Sequence, residues 1–468
     1  MSYCIVGGGP SGLSLAYVLA INNYKVTLIE RDDKLGGSWK SDWEDGLYFS
    51  ENSPRVLSLS PYMKRFFKQI GLNKDDFGYV YGRLPNMLLK FFLFLYKNGF
   101  NLKDLFLFVR ETIKSKFVKE NITVKNWLDK IPFSNGFRKS LGIWCILMCD
   151  RTDKTNVQSF LHTLTGPGEK NALKQFREPN KWHTLILNQF KTMNNVTVLL
   201  NTEAKELHEY NSKIYQIKCE DNEKTFSIDC DKIFLCTQSN NIIDIVKNSS
   251  DIVRNNWNSY DWLERWSLNT YYIGFGFTIN FKEDDVPMPY DWCWSCGSEW
   301  TVIILPVSNW LKVSSKDSNV KTVWSVCIVD MDTQSSYTGK TPNESTREEV
   351  VRECLRQINS IHTIPTPYKI VTNKRLIKKD GKWMSGKTGF TRNTLGYLPM
   401  KGKIDNLFAL GSFTETNDSI ATFGRTIEAT ALYLNQYEKG LKGFHKPRLN
   451  IELIVIIIIT LILVFRKR

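Results

Sequence analysis

Tyr3-Cys4-Ile5-Val6-Gly7-Gly8-Gly9-Pro10-Ser11-Gly12, running on to Lys25-Val26-Thr27-Leu28-Ile29-Glu30, is the stretch that decides the fold. Tyr3 to Val6 is a short apolar run of strand type. Gly7, Gly9 and Gly12 follow it at G-x-G-x-x-G spacing. Leu13 to Ile21 has a helical pattern, and Lys25 to Ile29 is a second strand that ends on Glu30. Strand, glycine turn, helix, strand and acid in this order describe a βαβ unit built for a dinucleotide. Gly7 permits the tight turn, Gly9 lets a pyrophosphate approach the backbone, and Gly12 lets helix and strand pack closely. The helix N-terminus behind Pro10 and Ser11 offers unpaired N–H groups to the phosphates. The Glu30 carboxylate suits ribose hydroxyls.

Arg31-Asp32-Asp33-Lys34-Leu35-Gly36-Gly37-Ser38-Trp39 follows at once. A glycine pair so soon after the acid brings a second loop toward the pyrophosphate. Here the chain resembles the FAD-dependent superfamily of amine oxidases, protoporphyrinogen oxidases and carotenoid desaturases. The arginine usual after the doublet is replaced by Ser38, with Lys40 the nearest substitute. Val196-Thr197-Val198-Leu199-Leu200 and Asp229 to Cys236 resemble the superfamily's second FAD-contacting strand and its return strand. Asn406-Leu407-Phe408-Ala409-Leu410-Gly411-Ser412 followed by Gly424-Arg425-Thr426-Ile427-Glu428-Ala429 resembles its closing flavin motif, with Ser412 where an acid is common.

The local resemblance is closest to protoporphyrinogen oxidase. Glu51-Asn52-Ser53-Pro54-Arg55 stands at its acid-x-Gly-Pro-Arg signature, and the helix from Pro61 to Gly71 follows as expected. The resemblance implies FAD as cofactor, with contacts from Gly7, Gly9, Pro10, Ser11, Gly12, Glu30, Arg31, Gly36, Gly37, Ser38, Trp39, Val198, Gly411 and Ser412. It implies transfer of hydride from a small substrate to the flavin, with oxygen or another acceptor completing the cycle. Arg55 is the first candidate for gripping substrate or flavin, and Tyr397 is a candidate wall of the pocket. His162 and His183 show no partner pattern and receive no role. The aromatic position that helps cage amines in monoamine oxidases falls on Thr426. That argues against a simple amine, and the expected membrane anchor and aromatic-rich substrate domain favour a lipophilic substrate such as a tetrapyrrole or an isoprenoid. The alternatives are a flavin amine oxidase, a redox-neutral flavoenzyme, or a scaffold that has lost FAD.

The expected fold class is α/β. A discontinuous Rossmann-type FAD domain takes residues 1–78, 182–250 and 385–438. An α+β substrate domain takes 79–181, which reads as helical, and 251–384. In the first of these, the apolar runs Leu88 to Tyr96 and Leu105 to Val109 read as core helix. No second glycine motif follows a strand, which argues against a separate NAD(P)H domain.

The formal charge is +14 and the apolar fraction 42%. No nucleic-acid motif accompanies the charge, so a nucleic-acid partner is not expected. Lys439, Lys442, Lys446 and Arg448 lie in a basic linker, 439–448, before the apolar run Leu449 to Phe465, which Arg466, Lys467 and Arg468 close. That pattern predicts a transmembrane tail anchor with the catalytic body cytosolic. No signal peptide precedes the first strand. Cys293-Trp294-Ser295-Cys296 is an isolated C-x-x-C, read as two buried thiols rather than a redox pair or a metal site.

Overall fold

The computed structural model describes residues 1–50, 57–58, 61–79, 101–118, 122–147, 151–158, 160–161, 173–272, 274–287, 294–296, 298–309, 311, 316–385, 390–391, 396–416, 423–438 and 441. β1 (Ser2–Val6), α1 (Pro10–Ile21) and β2 (Lys25–Ile29) form where the glycine and apolar pattern predicts them. They belong to a parallel five-stranded sheet in the order Leu407–Ala409, Lys232–Leu235, β1, β2, Val196–Leu199. Five strands from four distant parts of the sequence thus converge, with their carboxyl ends along one edge. In open parallel sheets that edge is where ligands bind.

Both faces of the sheet are covered, which explains its continuous apolar strands. Tyr3, Ile5, Val26 and Leu28 pack on one side. Their partners come from α1, the helices Pro61–Gln69 and Lys181–Phe190, and the closing helix Phe423–Tyr437. Cys4, Val6, Ile29, Ile233 and Leu235 face the other way. They meet the antiparallel sheet of Glu203–Tyr210, Lys213–Glu220 and Thr225–Asp229, together with helices Ser239–Val246 and Tyr260–Thr270.

A second five-stranded sheet is antiparallel, in the order Trp294–Cys296, Val302–Leu305, Thr322–Ile328, Phe275–Phe281, Lys369–Thr372. Its central strands are buried on both faces. Helix Arg347–Ile361 covers one face with Val350, Cys354 and Ile358. A capping box of Thr346 and Glu349 starts that helix. Leu47, Tyr48 and Phe49 of the hairpin Ser41–Glu44/Leu47–Ser50 cover the other face, against Leu305, Val323 and Val371. This hairpin follows directly on the glycine loops and packs against the second sheet.

The segment expected to be helical is mixed. Leu102–Phe117, Val124–Lys130 and Asn135–Leu147 are helices around Trp127, Phe133 and Phe137. Leu173–Phe176 is a strand between Leu57–Ser58 and Phe77–Tyr79. Arg151 ties the helical lobe to the second sheet through Asp330, 3.4 Å away. Among the described residues no helix is long and apolar enough to cross a membrane. Residues 449–465 and the run Leu88 to Tyr96 lie outside the described residues, so the expected transmembrane helix gains no support from the structure.

Candidate active site: two glycine loops before the first helix

Gly7 leaves β1 at φ +107°, and its N–H donates to the Ile29 carbonyl at 2.8 Å. A Cβ here would stand 2.7 Å from the Cys236 carbonyl oxygen, so the turn passes tightly over the neighbouring strand end. At Gly12 a Cβ would lie 1.9 Å from the Gly7 carbonyl oxygen. The turn and the first helical coil are therefore in backbone contact, and both positions require glycine. α1 then starts with Pro10 at its first position, no side-chain cap and no acid in its first turn. Its N-terminal N–H groups and positive dipole end stay available to an anion.

The doublet loop closes on this turn. Gly36 donates its N–H to the Gly8 carbonyl at 2.9 Å. Gly36 and Gly37 both have positive φ, +113° and +54°. A Cβ on Gly37 would come within 2.9 Å of the Gly9 Cα. Ser38 sits in the short 3-10 turn Gly37–Trp39 and is partly exposed. Trp39 turns inward and meets Phe423 edge-on at 5.1 Å. Trp182, Phe67 and Phe176 surround the same phenyl ring. The doublet loop is thereby clamped to the start of the closing helix.

Glu30 stands at the end of β2, next to the turn. Its Oε2 accepts the Gly8 N–H at 2.7 Å and its Oε1 accepts the Asp32 N–H at 2.9 Å. Burial raises its pKa, against those two hydrogen bonds. Each carboxylate oxygen has further lone-pair capacity for a ribose hydroxyl. Arg31 pairs with Glu203 at 3.7 Å on the outer flank. Val198 lies beside Leu28 in the sheet.

Lys40 does not replace the missing doublet arginine. Its ammonium forms a buried ion pair with Asp32. His183 is the neighbour the sequence gave no reason to single out. It is buried against Gly36, where a Cβ would meet its Cδ2 at 2.8 Å. Burial, and then the Lys40 charge, push its pKa down to about 4. The imidazole is neutral, and among the described residues its Nε2 has no hydrogen-bond partner. The apolar stripe Trp182, Ile186, Phe190 was the signal that this helix side faces inward.

The closing segment completes the site. Gly411 and Thr414 form a tight turn, with Gly411 N–H donating to Thr414 Oγ1 at 3.1 Å. Ser412 is partly exposed on that turn. Ser11 and Ser14 of α1 bond to Thr426 and Thr430 of the closing helix. Thr426 turns its hydroxyl into its own helix, toward the Phe423 carbonyl. Arg425, beside it, is buried. Its Nε donates to the Thr414 carbonyl at 3.3 Å, and its guanidinium lies 4.6 Å from the Tyr397 ring centre. Among the described residues Arg425 Nη2 has no partner. This arginine belongs to the closing motif Gly424 to Ala429, whose pattern assigns it no role. Arg55 and Cys293 lie outside the described residues.

These residues fit a dinucleotide. The cradle consists of positions where a Cβ would collide, an uncapped helix N-terminus and an acid fixed beside it, with the buried His183 Nε2 against the doublet loop and without a partner among the described residues.

Comparison with known proteins agrees. Residues 5–70 match the NAD(P)-binding Rossmann-like domain family. An L-amino-acid oxidase of Vipera ammodytes ammodytes is 33% identical over 75 residues, 16% of each chain. A 4,4'-diapolycopene oxygenase of Methylomonas sp is 34% identical over 73 residues, 16% of this chain and 14% of that one. The match thus spans about a sixth of those relatives' length. A putrescine oxidase solved with putrescine superposes with a TM-score of 0.62 at 10% identity, covering 94% of this chain and all of the other. Residues 5–70 are Rossmann-like, and the chain as a whole shares the fold of that putrescine oxidase.

Proposed function

We propose that this protein is an FAD-dependent oxidoreductase that removes hydride from a small, lipophilic substrate. One observation carries the reading. The Gly7–Gly9 turn and the Gly36–Gly37 loop are hydrogen-bonded face to face before the uncapped N-terminus of α1, with Glu30 held alongside. A diffusible nicotinamide cofactor needs only the first loop. The second loop, and a closing helix that returns onto α1, favour a resident dinucleotide.

FAD, when bound, supplies the two-electron redox chemistry. The α1 N-terminus and the turn N–H groups would hold its pyrophosphate, and Glu30 would orient the ribose. Gly411 and Ser412 lie on the turn that follows the closing strand Leu407–Ala409. Tyr397 and Arg425 form a polar corner in an otherwise aromatic region. The Arg425 Nη2, lacking a partner among the described residues, suits an acidic group on an apolar substrate. Thr426 presents no ring to an amine. Oxygen or another acceptor completes the cycle. The tail 449–465 serves as a membrane anchor, with the catalytic body on the cytosolic side.

A flavin amine oxidase is the second reading, favoured by the putrescine oxidase fold likeness. Anaerobic mixing of the flavin-loaded protein with porphyrinogens, isoprenoids and amines separates the two. Bleaching by an acidic lipophile supports the first reading. Bleaching by amines alone, with peroxide formed in air, replaces it with the second.

A further inference from the structure

Helix Leu102–Phe117 is built inside out. Its acids point inward: Asp104 accepts from the Ser134 hydroxyl and N–H at 2.6 and 2.7 Å, and Glu111 accepts from Arg110 at 2.7 Å beside Trp127. Both carboxylates are buried. Five of its eight large apolar side chains point outward: Leu102 is 81% exposed, Phe106 70%, Val109 43%, Ile113 51% and Phe117 83%. At 3.6 residues per turn these five fall within an arc of about 80°, as one straight row roughly 23 Å long. A surface helix in a globular protein shows the opposite pattern. Leu107 alone of the Leu105 to Val109 run is buried, with Leu105 and Phe108 partly so. The run expected to be core is therefore divided between core and surface.

Charge says what covers the row. Lys103, Arg110 and Lys114 are exposed along one flank, within about 40° of each other on the helix circumference; Arg110 is paired with Glu111, so the net charge of the flank comes from Lys103 and Lys114. The chain carries a net +14. A second copy docking by antiparallel helices would set this basic flank against itself, with like charges opposed. A flat, anionic, apolar-cored partner satisfies both features. We propose that this helix lies in the interface of a bilayer rich in anionic phospholipid, its apolar row below the headgroups and its basic flank among them. This contact is separate from the tail anchor and does not depend on it. It places the helical lobe, and through Arg151–Asp330 the second sheet, against lipid.

The full chain is mixed with vesicles of phosphatidylcholine, with or without phosphatidylserine, doped with a photoactivatable phospholipid. Adducts are then mapped by mass spectrometry. Adducts on Phe106, Val109 and Ile113, abundant only with phosphatidylserine, are the expected result. The variant Lys103→Glu/Lys114→Glu is expected to cut them at least about tenfold. A thermal melt unchanged from the parent shows that the variant is folded. Adducts confined to 449–465 overturn the proposal while leaving the tail anchor intact. So does cross-linking of this helix to residues 80–100 or to a second copy.

Discussion

Gly37 and Gly9 meet backbone to backbone: a Cβ on Gly37 would stand 2.9 Å from the Gly9 Cα. Gly37 also holds φ at +54°. Gly37→Ala therefore combines a contact the loop cannot absorb with about 1 kcal/mol of left-handed strain. The expected outcome is FAD binding weaker by about tenfold or more, with a small fall in melting temperature. Fluorescence titration of the apoprotein with FAD measures the first and a thermal melt the second.

Lys40 and Asp32 form a closed buried pair. Lys40→Met leaves the Asp32 carboxylate without that cation in a dry site, at a cost of about 3 kcal/mol or more. Lys40→Met/Asp32→Asn is expected to recover much of that loss. Denaturant unfolding of the parent and the variants tests it. A single variant as stable as the parent contradicts the pairing.

His183 makes the fold acid-sensitive. Its pKa is held at about 4 in the folded chain, against an ordinary 6.5. Between those values the unfolded chain binds more protons, so stability rises with pH across the window. It is lost as pH falls from about 6.5 to 4, by about 3 kcal/mol for this group. His183→Leu is expected to reduce the loss between pH 7 and pH 4.5. Denaturant midpoints at the two pH values give the comparison, and an unchanged pH dependence contradicts it.

Arg425 is expected to separate stability from function. Among the described residues its buried guanidinium lacks a partner at Nη2, so Arg425→Met removes a desolvated charge and leaves stability equal or higher. If Arg425 grips an acidic substrate group, the same change raises KM for acidic substrates at least about tenfold. Neutral substrates are affected little. Steady-state kinetics on an acid and its ester test the difference.

The βαβ unit was legible because its signals are local: glycine spacing, apolar period and a terminal acid all lie within thirty residues. Helix Arg347–Ile361 was legible for the same reason. The doublet loop was legible as a pattern, but the destination of Lys40 was not. Its pairing with Asp32 depends on how the loop folds back, which spacing does not encode. His183 acquires its setting from the doublet loop more than a hundred residues away, and Arg425 from Thr414 and Tyr397 on the segments before its own helix. The helix Leu102–Phe117 shows the limit of periodicity most plainly. A 3.6-residue repeat reveals an apolar stripe, and only tertiary packing reveals that the acids took the inward face.

The most direct test of the cofactor reading is the visible spectrum of the purified full chain, followed by analysis of the supernatant after heat denaturation. The account predicts a flavin spectrum and FAD released in an amount equal to the chain. A colourless protein that takes up no added FAD would contradict it.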